Sequence, residues 1–349
     1  MRALIVLALV AAAPGSPPQP NFFQLRSATL LPGKAPEYDY LTYDAARKYL
    51  VMGRRHDGVF VYDTVARRLV RKIAQSEGAN AAILVPGVGR GFSTNEDGST
   101  TVFSLPGYAT IKRLKFADDA DAAIFDPASG QVAFLSGDSK KITLIDARTL
   151  AVTGTIPMAS NKLEGSAADG HGGIFVAERD RAMLAHIDLR SKTVSAEWPT
   201  TGCLQPTGLA YDAGHRRVLL GCRGAAPVLT VLDGDNGRVV ATQTIGRGND
   251  GVAYDAVHNR VFTSNGVDSN LVIFHQDDPD HYRLEQALTT RPGARTLAFD
   301  PVGERVFTVA AEGIVDPSRP INTGPSAFYP NRFTDDSFTV LEIAVRPSR

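Results

Sequence analysis

Seven positions recur along the chain at intervals of 41 to 45 residues: Asp39, Asn80, Asp121, Glu164, Thr207, Asp250 and Arg295. Six of them carry a side-chain oxygen, and four carboxylates stand against one guanidinium. A repeat that closes on itself would gather these groups around one mouth. Hard cations such as calcium take several oxygens around a point, so Asp39, Asn80, Asp121, Glu164 and Asp250 form a candidate ligand set. An ion there would polarise a carbonyl or activate water. The same residues would equally line a water-filled passage and cap strand ends, and the two readings stay open.

A second set shares that face: Arg54, Arg55, His56 and Asp57, Asn95 and Glu96, Asp138, Glu178 and Arg179, Arg223, and Asn265. Mixed guanidinium and carboxylate groups suit an anionic or peptide ligand held by paired hydrogen bonds. They also suit solvated loop charges that contribute little. The longest irregular stretch, residues 312–336 (EGIVDPSRPINTGPSAFYPNRFTDD), holds four prolines. Loops of that length are usually functional or disordered. Its Phe328, Tyr329, Arg332 and Phe333 are of the types enriched at binding hot spots, and they would serve equally well as core. The expected ligand-binding face therefore combines Asp39, Asn80, Asp121, Glu164, Asp250, Arg295, His56, Arg223, Tyr329 and Arg332.

Catalytic signatures are sparse. His171, His215 and His258 fall in turns on the opposite face, His186 and His275 in strands, and His281 in an outer turn, leaving His56 alone at the mouth. No nucleophile elbow, HExxH, phosphate-binding glycine loop or CxxCH is present. Trp198, the single tryptophan, lies in an outer strand, which leaves no indole platform for a quinone at the mouth.

The elements that must position these residues are strands. Segments such as GLAYDAGHRRVLLGC (208–222), GVAYDAVHNRVFTSN (251–265) and TLAFDPVGERVFTVA (296–310) place an apolar strand ending in Asp before a turn and a second strand. A third apolar strand ending in Asp follows (VFVYD, ITLID, AHID, LTVLD), then an alternating fourth. The reference positions are Asp44, Val85, Asp126, Asp169, Asp212, Asp255 and Asp300. Period-two alternation and β-branched residues mark strands. Four antiparallel strands every 40–45 residues or so are the signature of a β-propeller blade. The predicted fold is all-β, a seven-bladed propeller forming one domain over residues 21–349. Its last copy lacks a fourth strand, and Phe22–Leu31 supplies one, tying the chain ends together.

The strands VFTSN, GFSTN and VFTVA, with their Asp-turn-Arg hairpins, resemble the YVTN-repeat family of seven-bladed propellers. The resemblance spans roughly residues 25–345 and is closest over 203–308. It implies an exported bacterial propeller and no particular activity. The oxygen ring is similar in type to the mouth of sugar-lactonase propellers, where a divalent ion sits.

Cys203 precedes the fifth inner strand and Cys222 ends its partner, so both fall at the same end of one hairpin. A disulfide is expected there, with two buried free thiols as the alternative.

Residues 1–13 (MRALIVLALVAAA) form an apolar run too short for a bilayer and fit a secretory signal peptide. Cleavage is expected between Ala13 and Ser16, and residues 14–20 (PGSPPQP) read as a disordered lead-in. The 37 Lys and Arg balance 37 Asp and Glu, which argues against a nucleic-acid binder. At 43% hydrophobic and 21% charged, the chain is neither disordered nor a membrane bundle, and no integral membrane segment is expected in the mature chain. The expectation is a periplasmic or secreted monomer without cofactor. Its channel-mouth face and 312–336 loop would bind a protein, peptide or small molecule. The alternative is a divalent-metal hydrolase or lyase.

Overall fold

A computed structural model describes residues 22–34, 37–117, 119–320 and 329–345; the expected leader and Phe328 lie outside them. Seven four-stranded antiparallel sheets form the blades of a propeller. Blades 1 to 6 are contiguous in sequence, each running from an inner to an outer strand, as in Pro206–Asp212, Arg217–Cys222, Val228–Asp233 and Val239–Thr244 of blade 5. Blade 7 combines Leu297–Asp300, Arg305–Ala310 and Thr339–Val345 with Phe23–Leu30 as its outer strand. The stretch expected to close this blade does so, in a register that runs from Phe23 opposite Val345 to Leu30 opposite Thr339.

The repeated aspartates explain why each hairpin turns where it does. Asp44 Oδ1 accepts the N–H groups of Ala46 and Arg47, and Asp255 and Asp300 accept the corresponding pairs two and three residues on. This Asx-type cap satisfies turn donors that the strands leave unpaired. Blade 2 has Val85 at that position and turns instead through a short 3₁₀ segment, Pro86–Val88. A second aspartate does the same at the outer turns, where Asp63 caps Val65 and Ala66, and Asp146 caps Arg148 and Thr149.

Blade faces are apolar on both sides because each is covered by a neighbour. Second strands are almost wholly buried, whereas the outer strand Thr193–Pro199 alternates between exposed and half-buried residues. Every seam between adjacent blades holds its own apolar cluster, such as Leu144 and Leu135 of blade 3 against Ile174 and Val176 of blade 4. Toward the axis the backbones crowd. A Cβ on Gly165 would stand 2.3 Å from the Thr207 carbonyl oxygen of the next blade, closer than any side chain tolerates.

Ring closure is pinned by Arg54, which is fully buried. Its guanidinium lies 4.4 Å from the ring centres of both Phe60 in blade 1 and Phe338 in blade 7. It donates to the Pro32 carbonyl at 2.7 Å and to Asp57 at 2.9 Å. Burial lowers its pKa, opposed by Asp57 and Asp336. A residue expected on the open face thus serves the seam that joins the two chain ends.

Candidate functional site

The inner strands surround an axial channel of about 200 Å³, lined by residues of every blade, from Leu41 and Ala81 round to Gly251 and Leu297. Above it opens a polar well of about 320 Å³. Its walls carry the carboxyl groups of Asp39, Asp121, Glu164 and Asp250 and the cations Arg55, Lys162, Arg179, Arg223 and Arg295, with Tyr40 reaching both spaces.

β-Bulges place these side chains. Register shifts at the mouth ends of the inner strands fall at Asn80, Glu164, Thr207 and Asp250. A bulge leaves one residue unpaired and re-aims it. Glu164 and Asp250 line the well, but Asn80 and Thr207 are turned into the blades and buried. The Asn80 amide donates to the Ala120 carbonyl at 3.2 Å, and Thr207 donates to that of Gln205 at 3.0 Å. Arg54, Asn95, Glu178 and Asn265, expected on the face, are buried as well. Arg55, Arg179 and Arg223 do face the well.

Most charges in the well are already paired. Asp250 is held between Arg223 and Arg295, the latter at 2.7 Å. Arg55 bonds Asp39 at 3.1 Å and Glu96 at 2.9 Å. Arg179 meets Glu164 at 2.6 Å, and Lys162 turns outward to Asp138 at 2.9 Å. Arg223 also donates to the Asn249 carbonyl at 2.8 Å. Asp121 is the exception: its carboxyl has no hydrogen-bond or ion-pair partner among the described residues. Burial, with Glu164, Asp39 and Asp119 nearby, pushes its pKa up to about 7 against a lowering by Lys162. Burial likewise raises Glu164, opposed by Arg179 and Arg223.

The disulfide is present. Cys203 and Cys222 are bonded with Cα atoms 5.4 Å apart, and both are fully buried. It fixes the loop that carries Arg223, whose N–H bonds the Gln205 carbonyl at 3.1 Å.

The well opens sideways toward blade 7. A cleft of about 190 Å³ shares Arg55 and Arg295 with the well, and Tyr329, Pro330 and Phe333 with a pocket of about 320 Å³. That pocket is walled mainly by apolar groups, including Pro292, Ala310 and Ala311. Arg295 joins the two ends, donating to the Tyr329 hydroxyl and, at 2.8 Å, to the Tyr38 carbonyl. His56 and Arg332 border a larger polar cleft of about 630 Å³, where His56 stands 3.9 Å from Glu37 and Arg332 3.7 Å from Asp316.

The five candidate metal ligands do not converge. Asn80 is turned away, three carboxylates are tied to arginines, and no group of three His, Cys, Asp or Glu among the described residues could hold an ion. This donor set fits a metal poorly.

One constellation escaped the sequence. In blade 4 His186 Nδ1 lies 2.7 Å from Ser195 Oγ, and Nε2 lies 3.0 Å from Asp169 Oδ2. Ser195 occupies the bulge of the outer strand, and its hydroxyl also reaches the His186 carbonyl at 2.9 Å. Asp169 is occupied in addition by the N–H groups of His171 and Gly173. Hydrolytic triads pair serine with Nε2 and the acid with Nδ1. Here the order is reversed, placing the serine beside the imidazole nitrogen nearest its own backbone. With the His186 ring tilted against Phe175 and stacked near Trp198, the trio braces the blade.

No protein-family model matches the sequence, and no curated protein matches it. Among solved structures, the chain is similar to one in the crystal structure of the mitotic checkpoint complex. The TM-score there is 0.71 at 12% identity, covering 88% of this chain and 95% of that one. It is also similar to a chain of hydrazine synthase from Kuenenia stuttgartiensis, with a TM-score of 0.66 at 13% identity, covering 80% of this chain and 94% of that one. At these identities the likeness is one of fold.

Proposed function

We propose that this chain is an exported, non-enzymatic propeller of the YVTN-repeat type, whose channel-mouth face docks a polypeptide segment. The observation that carries the reading is the run of three cavities sharing walls, from the charged axial well through the cleft at Tyr329 to the apolar pocket of blade 7. An extended segment could place a polar side chain in the well and an apolar one in the pocket. Binding sites of this kind combine apolar walls with a few placed polar groups. Tyr329 and Phe333 supply the aromatic anchors, and Arg295 holds Tyr329 in place.

The likeness to a chain of the mitotic checkpoint complex, a multi-protein assembly by its name, supports a docking role. The likeness to hydrazine synthase keeps catalysis a legitimate rival for the fold. A disulfide, and the lack of any helix long and apolar enough to cross a membrane among the described residues, are compatible with export.

Selection of displayed random peptides on the immobilised, oxidised protein tests the proposal. Enriched peptides should share an apolar residue, and Phe333→Ala should weaken them at least tenfold. Failure to enrich any sequence, or equal binding to a propeller bearing Phe333→Ala and Tyr329→Ala together, would sink it.

A further inference from the structure

We infer that the axial well receives a cationic group, the ammonium or guanidinium of a lysine or arginine side chain, with Asp121 as its counter-ion. This deepens the docking reading and rests on it.

The inference starts from Asp121, whose carboxyl is without a partner among the described residues. Asp39, Glu164 and Asp250 each have an arginine, whereas the nearby lysine, Lys162, is drawn outward to Asp138. Among the described residues nothing occupies the Asp121 oxygens, which face whatever enters the well.

The charged groups that bear on that carboxyl are mostly acidic. Asp39 faces it from blade 1, Glu164 from blade 4 and Asp119 from its own loop, while Lys162 from the blade 4 loop is the cation opposing them. Five cations in the well look at first like an excess over four carboxylates. Arg55, however, also answers to Glu96 and Lys162 to Asp138, both beyond the well. The bases are thus already committed, and Asp121 is not. An uncommitted carboxylate in a confined cavity attracts a cation.

An organic cation suits the site better than a metal. A metal needs several converging oxygens, and none converge here. A side-chain ammonium or guanidinium needs one good carboxylate and room. The well, at about 320 Å³, has space for roughly ten waters at about 30 Å³ each, enough for the end of a long side chain. Its floor offers the Tyr40 ring and its side the cleft through which the rest of a peptide would leave.

Binding would follow the ionisation of Asp121. The entering cation favours the carboxylate, so affinity is full above the pKa of the free protein and falls as pH drops through it.

The test is calorimetric titration of the full, chelator-treated chain with Nα-acetyl-arginine amide, Nα-acetyl-lysine amide, Nα-acetyl-glutamine amide and Nα-acetyl-glutamate amide. The two cationic probes should bind at pH 8, weaken at least tenfold at pH 5.5, and weaken at least tenfold in Asp121→Asn. Lys162→Met removes the opposing cation and should strengthen them about threefold, a gain that misfolding cannot mimic. Preference for the glutamate probe, unchanged arginine binding in Asp121→Asn, or no binding of either cation at millimolar concentration would each overturn the inference. Peptides enriched without basic residues would overturn it too while leaving the docking proposal intact.

Discussion

Tyr40 of blade 1 and Glu164 of blade 4 meet across the channel axis, the phenol donating to the carboxylate at 3.4 Å. Blades three places apart in a ring of seven are as distant as the ring allows, so this contact spans the opening. Tyr40 lines both the well and the channel beneath it. Burial, with Glu164, Asp250 and Asp39 nearby, raises the tyrosine pKa well above its usual value, so the hydroxyl keeps its proton and remains a donor.

Removing that contact has graded effects. Tyr40→Phe keeps the ring and loses the hydrogen bond, and should cost about 0.5–1.5 kcal/mol in urea unfolding. Tyr40→Ala removes the ring as well and should cost roughly 2–4 kcal/mol.

Asp121 carries a pH signature. Its folded pKa of about 7 lies above the ordinary 3.8, so between those values the folded state binds more protons than the unfolded chain. Stability from this group is therefore full below about pH 4 and is lost as pH rises to about 7. Asp121→Asn escapes the loss. It should be roughly 1–3 kcal/mol more stable than the parent at pH 8, with the gap closing toward pH 4. Melting curves at the two pH values measure both.

Arg54 ties the first blade to the last. Arg54→Ala would leave Asp57 and the Pro32 carbonyl unanswered and open a void between Phe60 and Phe338. The expected loss is about 3 kcal/mol or more. Limited proteolysis should then cut near residues 31–34 before any other site, because the closing strand is released first.

Reducing the disulfide should lower stability by about 3 kcal/mol, the chain-entropy value for a loop of this length. The paired change Cys203→Ser with Cys222→Ser should do the same. It should also weaken peptide binding, because the loop bearing Arg223 loses its anchor. Melting with and without reductant, followed by titration of a selected peptide, separates the two effects.

The architecture was legible because its causes are local and repeated. An aspartate two or three residues before the donors it caps writes the turn directly into the sequence, as at Asp255 and Asp300. Alternation writes the strand, and the missing fourth strand of the last copy points to Phe23–Leu30. The cysteine pair followed from hairpin position in the same way.

The site was legible only as a list of positions. Spacing located Asp39, Asp121, Glu164, Asp250 and Arg295 at the mouth, where they lie. It treated Asn80 and Thr207 alike, because a bulge has the same spacing whether it turns a side chain into the well or into a blade. Tyr40 and Lys162 were missed. Tyr40, next to Asp39, could have been suspected as the one large aromatic at the start of an inner strand.

By itself, the sequence determined the strands, the turns, the seven-fold repeat, the closure and the disulfide, since each depends on residues near in the chain or on a repeated pattern. Only the tertiary structure decided which charges neutralise one another. Arg295 and Asp250 come from different blades, and Tyr40 and Glu164 are 124 residues apart. Whether Asp121 finds a partner depends on where every neighbouring side chain ends, because electrostatic pairing falls off over a few ångströms. A part-buried Asp121 carboxyl, without a partner among the described residues, exists only once the ring has closed.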